Sequence, residues 1–349
     1  MMSFERIWHR SYSPGVPASV AIEQVTLSEA LSRSVLNHPH VSALIYMGKR
    51  ISFRKLDRLV NRFARALTDL GVKKGNKVAM LLPNVPEVVI ANFATFRIGA
   101  VAAMNNPLYT ERELIHQLND QDAEVIVTID LLVPKILAIK DKTKLRTIIA
   151  CHINDYLPFP VKQLFPVLRK GMFRKLPARE GVIEFQTLLA RYPDTPLLSE
   201  AMWNDVAAML YTGGTTGVSK GVMLTHANLS SNLQQFKALM PDFENGTERL
   251  LAIFPFFHAA GFTGMQNFGI FTASTLILVP RPETEIIIEQ IRKYRPTFVA
   301  GVPTIFVGLL NSARFRRLNL RFIKLFLCGA APLPMSTIKG LKELTGAVI

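Results

Sequence analysis

The chain has 349 residues, 41 Lys and Arg against 26 Asp and Glu for a formal net charge of +15, and 49% hydrophobic residues. That apolar content excludes a disordered chain, and the length exceeds one ordinary domain, so two similar lobes or one large α/β body with a continuous core is expected. The charge asks for an anionic partner, whether nucleic acid, a nucleotide or an anionic membrane surface; no nucleic-acid-binding motif accompanies it, which puts nucleic acid last.

The N-terminal "MMSFERIWHRSYSPGVPASV" is charged and broken by prolines, with no apolar core of a signal peptide, so a cytoplasmic location is expected. "SFRKLDRLVNRFARALTDLG" then places Leu56, Leu59, Val60, Phe63, Leu67 and Leu70 at helical spacing, opening on a Ser52 cap and closing on Gly71. The run "KVAMLL", a Pro83-Asn84 break, the helical "PEVVIANFATFRIG" and the run "AVAAM" continue the alternation. Thr110 and Glu113 form a capping box before the β-branched "EVIVTI". Apolar runs spaced by helices imply strands buried on both faces of parallel sheets, reached by right-handed crossovers.

From Leu157 to Arg179 this rhythm breaks. Lys162, Arg169, Lys170, Arg174, Lys175 and Arg179 are interleaved with Phe159, Leu164, Phe165, Leu168, Met172 and Phe173. The segment reads as an exposed insertion, either a solvated linker with a few anchors or a peripheral contact with the inner face of an anionic membrane. The alternation then resumes with "VAAMLYT", "GVMLT", "HANLSSNLQQFKALM", "LLAIF", "TLILV", "PETEIIIEQIRKY", "TFVAG" and "FIKLFLCG". Residues 259–280 carry no charge, but Gly261, Gln266, Asn267 and several threonines interrupt them, so a buried helix followed by a strand is expected in place of a membrane span. Cys151 and Cys328, with no CxxC pair or metal-ligand spacing, give no disulfide framework and read as core residues. The expected division is a first α/β lobe over 1–156, a basic insertion over 157–200 and a second α/β lobe over 201–349.

"YTGGTTGVSKGV", Tyr211 to Val222, cannot pack a core. Gly213, Gly214 and Gly217 permit backbone angles that turn consecutive N–H groups inward around an anion. Hydroxyls at Thr212, Thr215 and Thr216 add donors and Lys220 a full charge, so a polyphosphate is the natural guest. The loop is not a Walker A motif, because Lys220 follows Ser219 and precedes Gly221, and the chain enters a strand.

The stretch resembles the phosphate loop of the AMP-forming acyl-adenylate superfamily. "ISFRKLDRLVNRFARAL", "KGNKVAMLLPNVPEVVIANFATFRIGAVAAMNNPLYTERELIHQLND" and "MLYTGGTTGVSKGVMLTHANL" resemble bacterial long-chain fatty acid CoA ligases, as do Gly213, where many relatives have serine, and "ERIWHRSYSPGVPASV". The resemblance covers nearly the whole chain. It implies two doubly wound α/β lobes of an adenylate-forming enzyme's N-terminal domain, ending before the β-barrel and C-terminal domain. It implies ATP, Mg2+ and coenzyme A as cofactors, with a fatty acid as substrate. Thr212, Gly213, Gly214, Thr215, Thr216, Gly217 and Lys220 would hold the phosphates, and Lys220 with Thr216 would serve catalysis. In "FPFFHAAGFTG", His258 and Phe262 match the segment beside the acyl pocket, Phe262 as a gating aromatic; read alone, His258 is an ordinary core or loop histidine. Gly301 of "GVPTIF" would line the acyl tunnel. Gly329, Ala330 and Ala331 of "CGAAPLP" would let adenine lie against the backbone.

The family pattern continues past "CGAAPLP" with an aromatic segment, a ribose-binding aspartate and a domain bearing a catalytic lysine. The sequence in hand stops at "LKELTGAVI", with Ala347, Val348 and Ile349 resembling the opening of a buried strand. Little or no ligase activity is therefore expected of this polypeptide alone. An aryl-acid or peptide-synthetase adenylating domain, and a non-catalytic binder of nucleotide or acyl chains, remain open alternatives. Nothing in the sequence indicates an oligomeric state.

Overall fold

The computed structural model describes residues 6–178, 181–212 and 219–349. Chain order opens with α1 (Leu27–Asn37), β1 (Ser42–Tyr46), β2 (Lys49–Ser52), α2 (Phe53–Asp69), β3 (Lys77–Leu81), α3 (Pro86–Arg97) and β4 (Val101–Met104). It continues through α4 (Glu111–Gln121), β5 (Val125–Ile129), α5 (Val133–Ile139), β6 (Thr147–Cys151), α6 (Val161–Leu168), β7 (Val182–Glu184) and α7 (Phe185–Ala190). Next come β8 (Val206–Thr212), β9 (Lys220–Thr225), α8 (His226–Ala238) and β10 (Arg249–Ala252), then α9 (Ala259–Gly261), a π-helical turn Phe262–Asn267 and α10 (Phe268–Phe271). The last elements are β11 (Thr275–Leu278), α11 (Thr284–Tyr294), β12 (Phe298–Gly301), α12 (Pro303–Asn311), α13 (Ala313–Arg316), β13 (Leu325–Cys328) and α14 (Met335–Thr345).

The strands form two sheets, ordered β13-β12-β10-β11-β1-β2 and β7-β6-β5-β3-β4-β8-β9. Each is parallel except for one antiparallel edge pair, β1 with β2 and β8 with β9. β3, β4 and β5 are parallel neighbours made almost wholly of buried residues, as their apolar runs require. Both sheets are discontinuous in sequence. β1 pairs with β11, and β8 pairs with β4, so the division expected at residues 156 and 200 does not separate one sheet from the other.

The cause is a hairpin: Met47 and Gly48 take positive φ (45° and 100°), the two-residue turn that suits twisted strands. The chain then returns through α2 to build the other sheet. α3 is buried along its whole length, which accounts for its lack of a polar face. It packs on α2 and α1 within an apolar core shared by both sheets, containing Leu44, Val78, Phe93, Phe96, Phe262 and Phe298. The helix ends follow the expected chemistry. Thr110 and Glu113 close a reciprocal cap on α4, and Ser52 Oγ accepts from Lys55 N at 3.2 Å.

Residues 259–280 contain α9, the π-helical turn, α10 and β11, and among the described residues no helix is long and apolar enough to cross a membrane. Cys151 is buried. Cys328 departs from expectation: it is only half-buried, because β13 lies at the edge of its sheet, where Leu327 is exposed too. Beyond β13, Val348 makes a parallel bridge to Leu325, donating from its N to Lys324 O at 3.0 Å and accepting from Phe326 N at 2.8 Å. The last residues thus carry one isolated bridge to β13.

Candidate functional site

The apolar strand β8 and the antiparallel β9 bring Thr212 and Lys220 opposite each other, at the two ends of the glycine and threonine segment. Both are exposed, and Lys220 makes no ion pair among the described residues. Its ammonium is therefore available to an anion. The expected phosphate ligands Gly213, Gly214, Thr215, Thr216 and Gly217 lie outside the described residues.

Both stems of the loop are fastened to α4. Tyr211 donates its hydroxyl to Asp120 at 2.6 Å, and Gln117 Nε2 donates to Ser219 Oγ at 3.3 Å. His116 Nε2 lies 3.1 Å from the Ser219 carbonyl oxygen, a bond that requires the proton on Nε2. A hydrogen-bonded frame of this kind fixes the two stems in advance of any ligand, which lowers the entropic cost of binding between them. Sequence reasoning took α4 as a capped helix and nothing more; the polar cluster at 116, 117 and 120 was the available signal.

A second set of residues lies past β10. The chain from Phe254 to Gly261 doubles back so tightly that a Cβ at Gly261 would sit 2.0 Å from the Pro255 carbonyl oxygen. Only glycine fits. His258 precedes α9 beside the Phe257 ring (4.6 Å), exposed, yet with enough lost hydration to hold its imidazole below the ordinary value. Phe262 opens the π-helical turn. It is fully buried, edge-on to Phe96 with centroids 6.3 Å apart. The turn also keeps Gln266 and Asn267 in the core, where Asn92 Nδ2 of α3 donates to Gln266 Oε1 at 3.0 Å. π-Helical turns of this kind recur at functional sites.

Gly301 ends β12 and Gly329 follows its parallel neighbour β13, and Gly329 N donates to Gly301 O at 3.1 Å. A Cβ on Gly329 would stand 4.0 Å from Phe254, so this pair adjoins the turn just described. Ala330 follows with φ +71°, a strained value for a residue bearing a Cβ, and both Ala330 and Ala331 are exposed. Of the expected residues, the structure sets Thr212 opposite Lys220, bonds Gly329 to Gly301, and puts Gly329 beside Phe254 in the turn that leads to His258 and Phe262.

Asn84 fastens the two sheets where these groups lie, a role the sequence did not disclose beyond a Pro-Asn break. Placed just after β3, its Nδ2 donates to Ala252 O (3.0 Å) and Phe254 O (2.9 Å), and its Oδ1 accepts from Phe256 N (2.9 Å). Tyr46, the last residue of β1, donates its hydroxyl to Ile153 O just past β6 at 3.0 Å. The carboxyl ends of strands from both sheets thus meet. Between them lies a cavity of about 440 Å³ lined by Asn84, Leu108, Pro255, Phe257, Val279 and Arg281 among others. A crevice at strand carboxyl ends is where open α/β sheets bind ligands.

These features define an α/β protein whose two sheets bring strand carboxyl ends together at one crevice, with a glycine- and threonine-rich segment joining β8 to β9. A family model described as AMP-binding enzyme matches residues 31–349, and the chain belongs to that family. A long-chain-fatty-acid–CoA ligase of Bacillus subtilis (strain 168) is 34% identical over 348 residues, spanning 99% of this chain and 62% of that protein. The chain thus spans less than two thirds of this relative's length. The anthranilate CoA ligase AuaEII, solved in complex with anthranoyl-AMP, superposes with a TM-score of 0.81 at 22% identity, over 93% of this chain and 58% of that one. A long-chain-fatty-acid-CoA ligase (FadD1) from Archaeoglobus fulgidus superposes with a TM-score of 0.78 at 24% identity, over 95% of this chain and 63% of that one. At those identities the two structures establish the fold: two sheets in the arrangement of the N-terminal domain of adenylate-forming enzymes.

Proposed function

We propose that this chain carries the nucleotide and acyl sites of a ligase that activates a long-chain fatty acid with ATP and transfers it to coenzyme A. In the first half-reaction the fatty carboxylate attacks the α-phosphorus of ATP and pyrophosphate leaves. In the second, the sulfur of coenzyme A attacks the carbonyl carbon of the acyl-adenylate and AMP leaves. Neither step needs a nucleophile from the protein, so positioning and charge stabilisation do the work.

Thr212, Gly213, Gly214, Thr215, Thr216, Gly217 and Lys220 hold the β- and γ-phosphates in this reading, with Lys220 and Thr216 offsetting charge as pyrophosphate departs. Magnesium would arrive with the nucleotide beside the Thr216 hydroxyl and would supply further neutralisation of phosphate charge. Gly329, Ala330 and Ala331 supply a surface without bulky side chains for adenine, and His258, Phe262 and Gly301 border the acyl chain.

The observation that carries the proposal is a Lys220 with no ion pair among the described residues, at the exit of a segment whose stems are bonded to α4, on one of two sheets whose strand ends Asn84 joins. The 34% identity to a fatty-acid ligase favours a long-chain acid. The fold likeness to an anthranilate ligase keeps an aryl acid as the second reading. ATP–pyrophosphate exchange driven by palmitate or by coumarate separates them. Exchange with palmitate supports the proposal, whereas exchange with coumarate alone transfers the site to aryl acids. ATP binding without exchange from either acid favours a non-catalytic binder.

A further inference from the structure

The segment around α6 is assembled unlike the rest of the surface. Of the eight residues of α6 only Phe165 is buried, plugging into the core shared by the sheets, while Leu157 anchors the approach. At 100° per residue, Val161, Leu164, Val167 and Leu168 fall within an arc of about 120°. All four face solvent, at 45%, 49%, 67% and 69% exposure, and Phe159 beside them is 82% exposed. The hairpin turn of β1 and β2 abuts the same segment: a Cβ on Gly48 would stand 3.6 Å from Pro158, and neighbouring Met47 is 43% exposed. Single exposed apolar residues are ordinary on a surface; a contiguous set on one anchored helix is not.

The charge around this apolar face has one sign. From Tyr156 to Ala178 there is no Asp or Glu, and Arg169, Lys170, Arg174 and Lys175 are exposed with no ion pair among the described residues. Cations ringing an apolar centre would suit a protein partner only if that partner were acidic around an apolar patch of its own. A bilayer with anionic headgroups satisfies both parts: apolar side chains enter the acyl boundary and the cations stay at headgroup level. We infer that α6 and its flanks form a docking face for an anionic phospholipid bilayer. The face is independent of catalysis, so its test does not depend on the ligase reading.

Co-sedimentation of the full chain with vesicles provides that test. Binding is expected to phosphatidylcholine vesicles carrying about 30 mol% phosphatidylglycerol, and not to phosphatidylcholine alone. Arg169→Ala with Lys170→Ala should weaken partitioning by roughly tenfold or more. Leu164→Glu with Leu168→Glu should abolish it with little change in thermal midpoint, because both side chains are exposed, at 49% and 69%. Equal binding to both vesicles, binding to neither, or wild-type binding by the Leu164→Glu, Leu168→Glu variant overturns the inference. Loss of binding on Trp8→Ala alone would do the same, by moving the contact to the exposed N-terminal Trp8. So would a dimer in sedimentation velocity that the Leu164→Glu, Leu168→Glu variant dissolves, since the face would then join two copies of the chain.

Discussion

Asn84 concentrates three hydrogen bonds, two of them buried, in one amide: two donated to the carbonyls of Ala252 and Phe254 at and just past the end of β10, and one accepted from the turn that leads to His258. Removing it leaves those backbone groups without partners, each at a cost set by desolvation. Asn84→Ala is expected to lower the unfolding free energy by roughly 2–3 kcal/mol in urea titration. His226 supplies a pH dependence. It is fully buried, its Nδ1 accepts from Leu27 N at 3.2 Å, and burial lowers its pKa from 6.5 to about 4. The unfolded chain therefore binds a proton between those values that the native state refuses. The stability from His226 is fully present above about pH 6.5 and lost as pH falls toward 4, a difference of about 3 kcal/mol. Denaturation at pH 7 and pH 4.5 should show this loss, and His226→Asn should be much less sensitive over the same interval.

At the scale of elements, α4 is the frame of the candidate nucleotide loop. Its cap was legible because Thr110 and Glu113 stand three residues apart before an apolar run, and local spacing alone determines that geometry. Its second role was not legible, since the bonds from His116 and Gln117 to Ser219 span about a hundred residues of chain. His116→Ala with Gln117→Ala is expected to weaken ATP binding by about tenfold while the chain stays folded, because the loop must then be ordered at the expense of binding energy. Calorimetric titration with ATP checks it, and an unchanged affinity would assign these side chains to stability alone. The hairpin of β1 and β2 escaped notice for a related reason. Its turn is Met47-Gly48, not the Asn-Gly pair that signals such turns, and β1 finds its partner only in β11.

For the whole molecule, alternation of apolar runs and helical stripes was enough to indicate parallel sheets covered by helices, because β3, β4, β5 and α2 each declare themselves within a few residues. Which strand joins which sheet was not readable, since β1 and β8 each cross to the sheet built mainly from the other part of the chain. The residues named at the strand ends were reached through motif resemblance, and their grouping depends on pairings such as Gly301 with Gly329 and on the Asn84 bridge. What unites these observations is that two sheets present their carboxyl ends to one crevice, while Lys220 stands at the exit of the glycine and threonine segment.

The most direct measurement is the affinity of the chain for ATP, wild type against Lys220→Ala, by calorimetry at moderate salt. The side chain is exposed and unpaired among the described residues, so its loss should leave the thermal midpoint unchanged. Binding by the wild type and a loss of about tenfold or more in the variant is the predicted result, as expected for removing a charge that contacts phosphate. Equal affinity in both proteins, or no ATP binding by the wild type, would contradict the account.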